Sequence, residues 1–70
     1  RIEYSIPENS FVSIKVYNSV GQLVATLVNE NQSVGTYRVE WSAKNVPSGI
    51  YFYRMETSKF TMMKKMLLLK

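Results

Sequence analysis

Apolar and polar residues alternate along most of this chain with a period of two, the spacing at which the side chains of a strand point to opposite faces of a sheet. Ile2, Tyr4 and Ile6 fall on one face and Glu3 and Ser5 on the other, and Pro7 closes the run. Pro7-Glu8-Asn9-Ser10 then reads as a turn, with proline as the breaker and short polar side chains able to bond the local backbone. From Phe11 to Tyr17 the alternation resumes, with Val12, Ile14 and Val16 opposite Ser13 and Lys15. Both segments are predicted to be half-buried strands. Asn18-Ser19-Val20-Gly21-Gln22 follows as a hairpin loop with glycine at the left-handed position.

The next stretch is ambiguous. Val20, Leu23, Val24, Leu27 and Val28 have the spacing of an amphipathic helix. A helix of about nine residues that contains Gly21 and is rich in valine would be marginal, however. The segment also returns one short loop after a strand, so it is predicted to be a strand. Asn29 to Gly35 is polar and reads as a loop, and Thr36 to Ser42 reads as a strand with Tyr37, Val39 and Trp41 on one face. Trp41 is expected near the centre of the core, with an acceptor for its indole N–H.

Ala43 to Val46 leads into the stretch about which the other strands are expected to be arranged, Pro47 to Met55. Pro47 and Gly49 supply turn chemistry, and Ile50 to Tyr53 contains no polar break. Ile50 and Phe52 on one face and Tyr51, Tyr53 and Met55 on the other are all apolar, which predicts a central strand covered on both sides. Thr57-Ser58-Lys59 is a short reversal. Phe60 to Lys70 is rich in good helix formers, but an all-β body with an open edge would take it as a closing strand. It is predicted to be one, broken near Lys64-Lys65, whose charges would protect the edge. Six to seven short antiparallel strands punctuated by Pro, Gly and Asn turns define an all-β fold, a small immunoglobulin-like β-sandwich. The Cys-Trp-Cys pattern of antibody domains is absent, so the likeness is one of architecture.

Composition narrows the chemistry. Seventy residues make a single domain, 1–70, and a domain of this size buries only about 60% of its unfolded surface. There is no cysteine and no histidine, so disulfides, thiolate metal sites and the commonest general base are all missing. The acids are Glu3, Glu8, Glu30, Glu40 and Glu56, dispersed over presumed solvent-facing positions rather than paired. Gly21, Gly35 and Gly49 are isolated, which leaves no phosphate-cradling loop. These absences argue against catalysis, and no metal or cofactor is expected. The net charge of +4 is dispersed and would favour anionic surfaces only weakly. Tyr51, Phe52, Tyr53 and Arg54 have the composition of a nucleic-acid stacking platform, but so small a domain needs them for its core, and no nucleic-acid partner is expected. Met62, Met63 and Met66 fit either an adaptable binding face or gap filling. Met66 to Leu69, the apolar run near the end, is far short of the roughly 20 residues of a membrane span. Arg1 opens the chain without a methionine and within an alternating run, so the sequence reads as a segment of a longer protein whose natural N-terminus lies elsewhere.

A resemblance covers nearly the whole chain. Tyr4-Ser5-Ile6-Pro7-Glu8, Val16-Tyr17-Asn18 with Gly21-Gln22, Gly35-Thr36-Tyr37 and Trp41 come first, then Pro47-Ser48-Gly49-Ile50-Tyr51-Phe52-Tyr53-Arg54 and Lys64-Lys65-Met66-Leu67-Leu68-Leu69-Lys70. In that order they resemble the type A C-terminal sorting domain of the type IX secretion system of certain Gram-negative bacteria. The immunoglobulin-like domain of flagellar hook-capping proteins is similar in its hairpins but is not expected to end in a lysine-terminated tail.

The resemblance implies an export tag at the C-terminus of a secreted protein, covalently linked to an N-terminal cargo. Such a tag passes through the periplasm and is recognised by the outer-membrane translocon. A sortase-like peptidase commonly cuts before the domain, and the cargo ends outside the cell or on its surface. The positions carried over for recognition by the machinery are Pro47, Gly49 and Tyr51, then Lys65, Leu67, Leu69 and Lys70. Leu67 and Leu69 fit two roles equally, closing the sandwich or anchoring a receptor. A terminal Lys70 has little packing to do and fits recognition. The other function class is an immunoglobulin-like accessory module of an extracellular enzyme, serving as a spacer or weak carbohydrate binder. A third is a filament-capping domain that self-associates.

Overall fold

Two antiparallel sheets meet across one apolar layer. The computed structural model describes residues 2–69, in which six strands follow in order: β1 (Ile2–Ile6), β2 (Ser10–Asn18), β3 (Leu23–Gln32), β4 (Gly35–Val39), β5 (Gly49–Glu56) and β6 (Thr61–Leu68). One sheet has the order β3-β2-β5-β6 and the other pairs β1 with β4. The result is all-β and arranged as a small immunoglobulin-like sandwich.

The alternation at the start of the chain places the core. Val12, Ile14 and Val16 of β2 are fully buried, and Ile2, Tyr4 and Ile6 of β1 are buried too. Met55 of β5 lies directly opposite Ile14 and joins the same cluster, with Leu27, Val28, Tyr37, Val39, Met62 and Met66 packed around it. Tyr4 stacks on its cross-strand neighbour Tyr37, centroids 5.4 Å apart. Its hydroxyl donates to Gln32 Oε1 at 2.6 Å, tying the small sheet to the large one. Burial is the main cause raising the Tyr4 pKa, partly opposed by the Gln32 bond.

Several expectations are corrected, but the strand predicted after Val20 is borne out: its helix-like spacing comes from two register shifts, where β3 has one residue more than β2. The shifts fall at Leu27 and Val24, so adjacent apolar residues (24 with 25, 27 with 28) are half-buried together. That doubling imitates an i, i+3, i+4 stripe. The polar stretch Asn29–Gln32 is also strand, because its backbone completes the ladder opposite Ser10–Ser13 while its side chains are mostly exposed. β4 stops at Val39, where its ladder with β1 ends at the Ile2–Val39 pair. Trp41 lies beyond β4, is half-buried, and falls outside the central cluster. Finally, β5 is an interior strand covered on one face, since the two-stranded sheet lies over one side of the four-stranded sheet and Ile50 on the other side is exposed.

β6 runs unbroken through Lys64-Lys65. The turns are locked by side chains. Asn18 Oδ1 accepts from the backbone N–H of Val20 and of Gln22, and Gly21 takes φ 88° between them. Asn9 Oδ1 accepts from the Val34 N–H, which joins the β1–β2 and β3–β4 turns at one end of the molecule.

Ile14→Ala is expected to cost about 2–5 kcal/mol, against a total on the order of 4–10 kcal/mol for a chain of this size. Urea titration should find the variant partly or wholly unfolded, and an unchanged midpoint would contradict this core. The raised Tyr4 pKa favours the neutral phenol in the folded state. Its contribution is therefore complete below the ordinary value of 10.0 and is lost as pH rises through the raised value. Stability should fall above pH 10.0, and Tyr4→Phe should flatten that fall.

Candidate functional site

Two short stretches repeat one device. In Ser33-Val34-Gly35-Thr36-Tyr37 and in Pro47-Ser48-Gly49-Ile50-Tyr51, a glycine opens a strand and a tyrosine follows two residues later. Gly35 has φ 154° and Gly49 φ 156°, a backbone setting that side-chain-bearing residues rarely adopt. Each tyrosine then turns its hydroxyl back to the carbonyl four residues upstream, Tyr37 to Ser33 O at 2.6 Å and Tyr51 to Pro47 O at 2.7 Å. Tyr51 is buried, and Trp41 meets its ring edge-on at a centroid distance of 5.2 Å. Trp41, the side chain on which sugar stacking would rest, is thus engaged with Tyr51.

The antiparallel β5–β6 register brings the two halves of the sequence-derived site together. Gly49 lies opposite Leu68, Ile50 opposite Leu67, Tyr51 opposite Met66 and Phe52 opposite Lys65. The turn-strand motif and the tail motif therefore share one end of the sheet, with different roles. Pro47, Gly49 and Tyr51 build that end: the Pro47 carbonyl holds the inward-facing Tyr51. Lys65 and Leu67 face outward from the open side, and Leu69 follows them; Leu67 is 66% and Leu69 77% exposed. Met62 and Met66 of β6 pack against the core, and Leu68 is half-buried on the same inward side. Closure of the sandwich thus falls to these residues rather than to Leu67 and Leu69. Lys70 lies outside the described residues.

The open side carries side chains that the alternation had assigned to a covered face. Tyr17 and Phe52 are direct cross-strand neighbours. With Arg54, Met63 and the Asn18–Gly21 loop they line a shallow cleft of about 300 Å³. A second groove of about 360 Å³ lies at the same end of the sheet, between Val20, Val24, Val46, Pro47 and Ile50. The sequence signal for this exposed face was the second apolar parity of Ile50 and Phe52, continued by Met63 and Leu67 in the tail. Only the width of the covering sheet decides that this parity stays open.

Glu3, Glu8 and Glu56 are engaged with Arg38, Lys59 and Arg54 respectively, at 3.3–3.9 Å. Among the described residues no group of three or more His, Cys, Asp or Glu could hold a metal ion, and no helix is long and apolar enough to cross a membrane.

A family model described as the secretion system C-terminal sorting domain matches residues 1–69. The chain belongs to this family, whose members are C-terminal sorting signals for type IX secretion. A domain of this kind is not itself catalytic; it directs the protein to which it is fused to the cell surface or the extracellular space. No curated protein and no solved structure matches the chain.

Tyr51→Phe keeps the ring and removes one hydrogen bond, so a loss of about 0.5–1.5 kcal/mol is expected. Gly49→Ala must hold a strained φ and should cost about 1–3 kcal/mol. Urea titration compares the two; a neutral Tyr51→Phe would mean that the tether to Pro47 holds nothing.

Proposed function

We propose that residues 1–70 form one folded export tag, the terminal domain of a larger secreted protein, and that the outer-membrane translocon reads it at the end of the sheet where β5 begins and β6 finishes. The cargo precedes the domain and reaches the periplasm with it, where the tag folds without a cofactor. After translocation a sortase-like peptidase cuts before the domain, so that the scissile bond precedes Arg1. The cargo is then released or joined to an anionic lipopolysaccharide.

The observation that carries this reading is the exposure of Leu67, on an edge strand whose inward side is already filled by Met62, Met66 and Leu68, and of Leu69 just after that strand. Large apolar side chains in contiguous exposed positions favour a partner. In this reading Leu67 and Leu69 are the anchors, while Lys65 and Lys70 supply charge. Pro47, Gly49 and Tyr51 act through the shape of the sheet end, keeping the neighbouring strand in register beside the tail.

The test replaces the anchors in a cargo fusion. Leu67→Ser with Leu69→Ser should leave the melting temperature of the domain nearly unchanged and abolish most export of the cargo. Lys70→Ala should likewise spare stability and impair export. Full export by the leucine variant, or a large loss of stability in it, would overturn the assignment and return these residues to a packing role.

A further inference from the structure

β6 is an outer strand. In the order β3-β2-β5-β6 it pairs, among the described residues, with β5 alone, so its other side presents backbone without a strand partner along eight residues. Such an edge is a template for another strand unless something blunts it. Here the blunting device is the exposed pair Lys64-Lys65 at mid-strand.

The two lysines stand on opposite faces. Lys64 is opposite Tyr53, whose ring packs toward the core, and Lys65 is opposite Phe52, which lines the open side. Neither enters any of the ion pairs among the described residues, and the acidic partners in those pairs are Glu3, Glu8 and Glu56. Around them the strand is apolar: Met63 and Leu67 flank Lys65 on the outer face, and Met62 and Met66 flank Lys64 on the inner face. A second copy of β6 laid antiparallel along this edge in matched register would bring the lysine pairs together, which disfavours self-pairing.

We infer that the free edge of β6 accepts an extended protein segment carrying two adjacent carboxylates opposite Lys64 and Lys65, with apolar residues on either side of them. Successive residues of an added strand point to opposite faces, so two neighbouring acids reach the two lysines, one on each face of the sheet. The apolar residues beside them lie along Met63 and Leu67 on one face and Met62 and Met66 on the other. Main-chain hydrogen bonds supply affinity, and the charge pattern sets register and excludes other strands. This rests on the reading of the sheet end as the recognised surface and names the chemistry of what pairs there.

The probe is a blocked peptide of two central glutamates flanked on each side by two valines and a threonine, with a peptide of two central lysines as its counterpart. Binding is followed by amide shifts in the seventy-residue chain. The glutamate peptide should perturb β6 and bind at least about tenfold more tightly than the lysine peptide, and added salt should narrow the difference. Lys64→Glu with Lys65→Glu should reverse the preference, and Lys64→Gln with Lys65→Gln should erase it without loss of the fold. In a cargo fusion, the charge-reversed chain should export several-fold less than the unaltered one. Equal binding of the two peptides, shifts mapping to β3 or to the β1–β4 sheet, or dimerisation through β6 would overturn the inference. If export depends on Leu67 and Leu69 but not on the lysine pair, this inference falls and the sorting reading stands. If export depends on neither, both fall.

Discussion

Val12, Ile14 and Val16 set three branched side chains on one face of β2, and each other layer of the molecule is placed by contact with that face or with its strand neighbours. β2 is bonded to β3 on one side and β5 on the other, so its register positions both. Ile2, Tyr4 and Ile6 come down on it from the small sheet, and Met55 fills the space beside Ile14. A chain this short lives close to the limit at which a single core suffices. Side-chain bonds at the turns, from Asn9, Asn18 and the two backward-reaching tyrosines, relieve that core of the work of ordering the loops.

The open face is a consequence of unequal sheets. Two strands cannot cover both faces of four, so the side of the large sheet away from β1 and β4 remains open. β5 and β6 carry apolar residues of both parities, and one parity must face solvent. The parity that faces inward, with Tyr51, Met55, Met62 and Met66, holds the domain together. The other, with Phe52, Met63, Lys65 and Leu67, lies on the open side.

Much of the architecture could be read in the alternation alone. β1, β2, the hairpin at Asn18–Gln22 and the interior position of β5 follow from period-two patterning and turn residues. The start of β3 was legible as a strand too, although its register shifts put neighbouring apolar residues on the buried side and imitated a helix. What escaped was determined by pairing. Asn29–Gln32 is strand because β2 reaches that far, a fact invisible in its polar side chains. Trp41 looked like a core residue by size, yet it lies beyond β4 and its ring packs edge-on against Tyr51 instead. For the candidate site, the motifs at Pro47–Tyr51 and Lys65–Leu69 were legible, but their adjacency and the inward turn of Tyr51 came only from the β5–β6 ladder. Whether Leu67 and Leu69 close the sandwich is undetermined by alternation, since both parities of the tail are apolar; the narrow covering sheet decides it.

The most direct test of the central claim fuses these seventy residues behind a periplasm-directed fluorescent reporter in a host with the type IX machinery and in an isogenic host lacking the translocon. Reporter outside the outer membrane should be found in the first host and not in the second. Retention of the reporter in the periplasm of both, with the domain shown to be folded, would contradict the account.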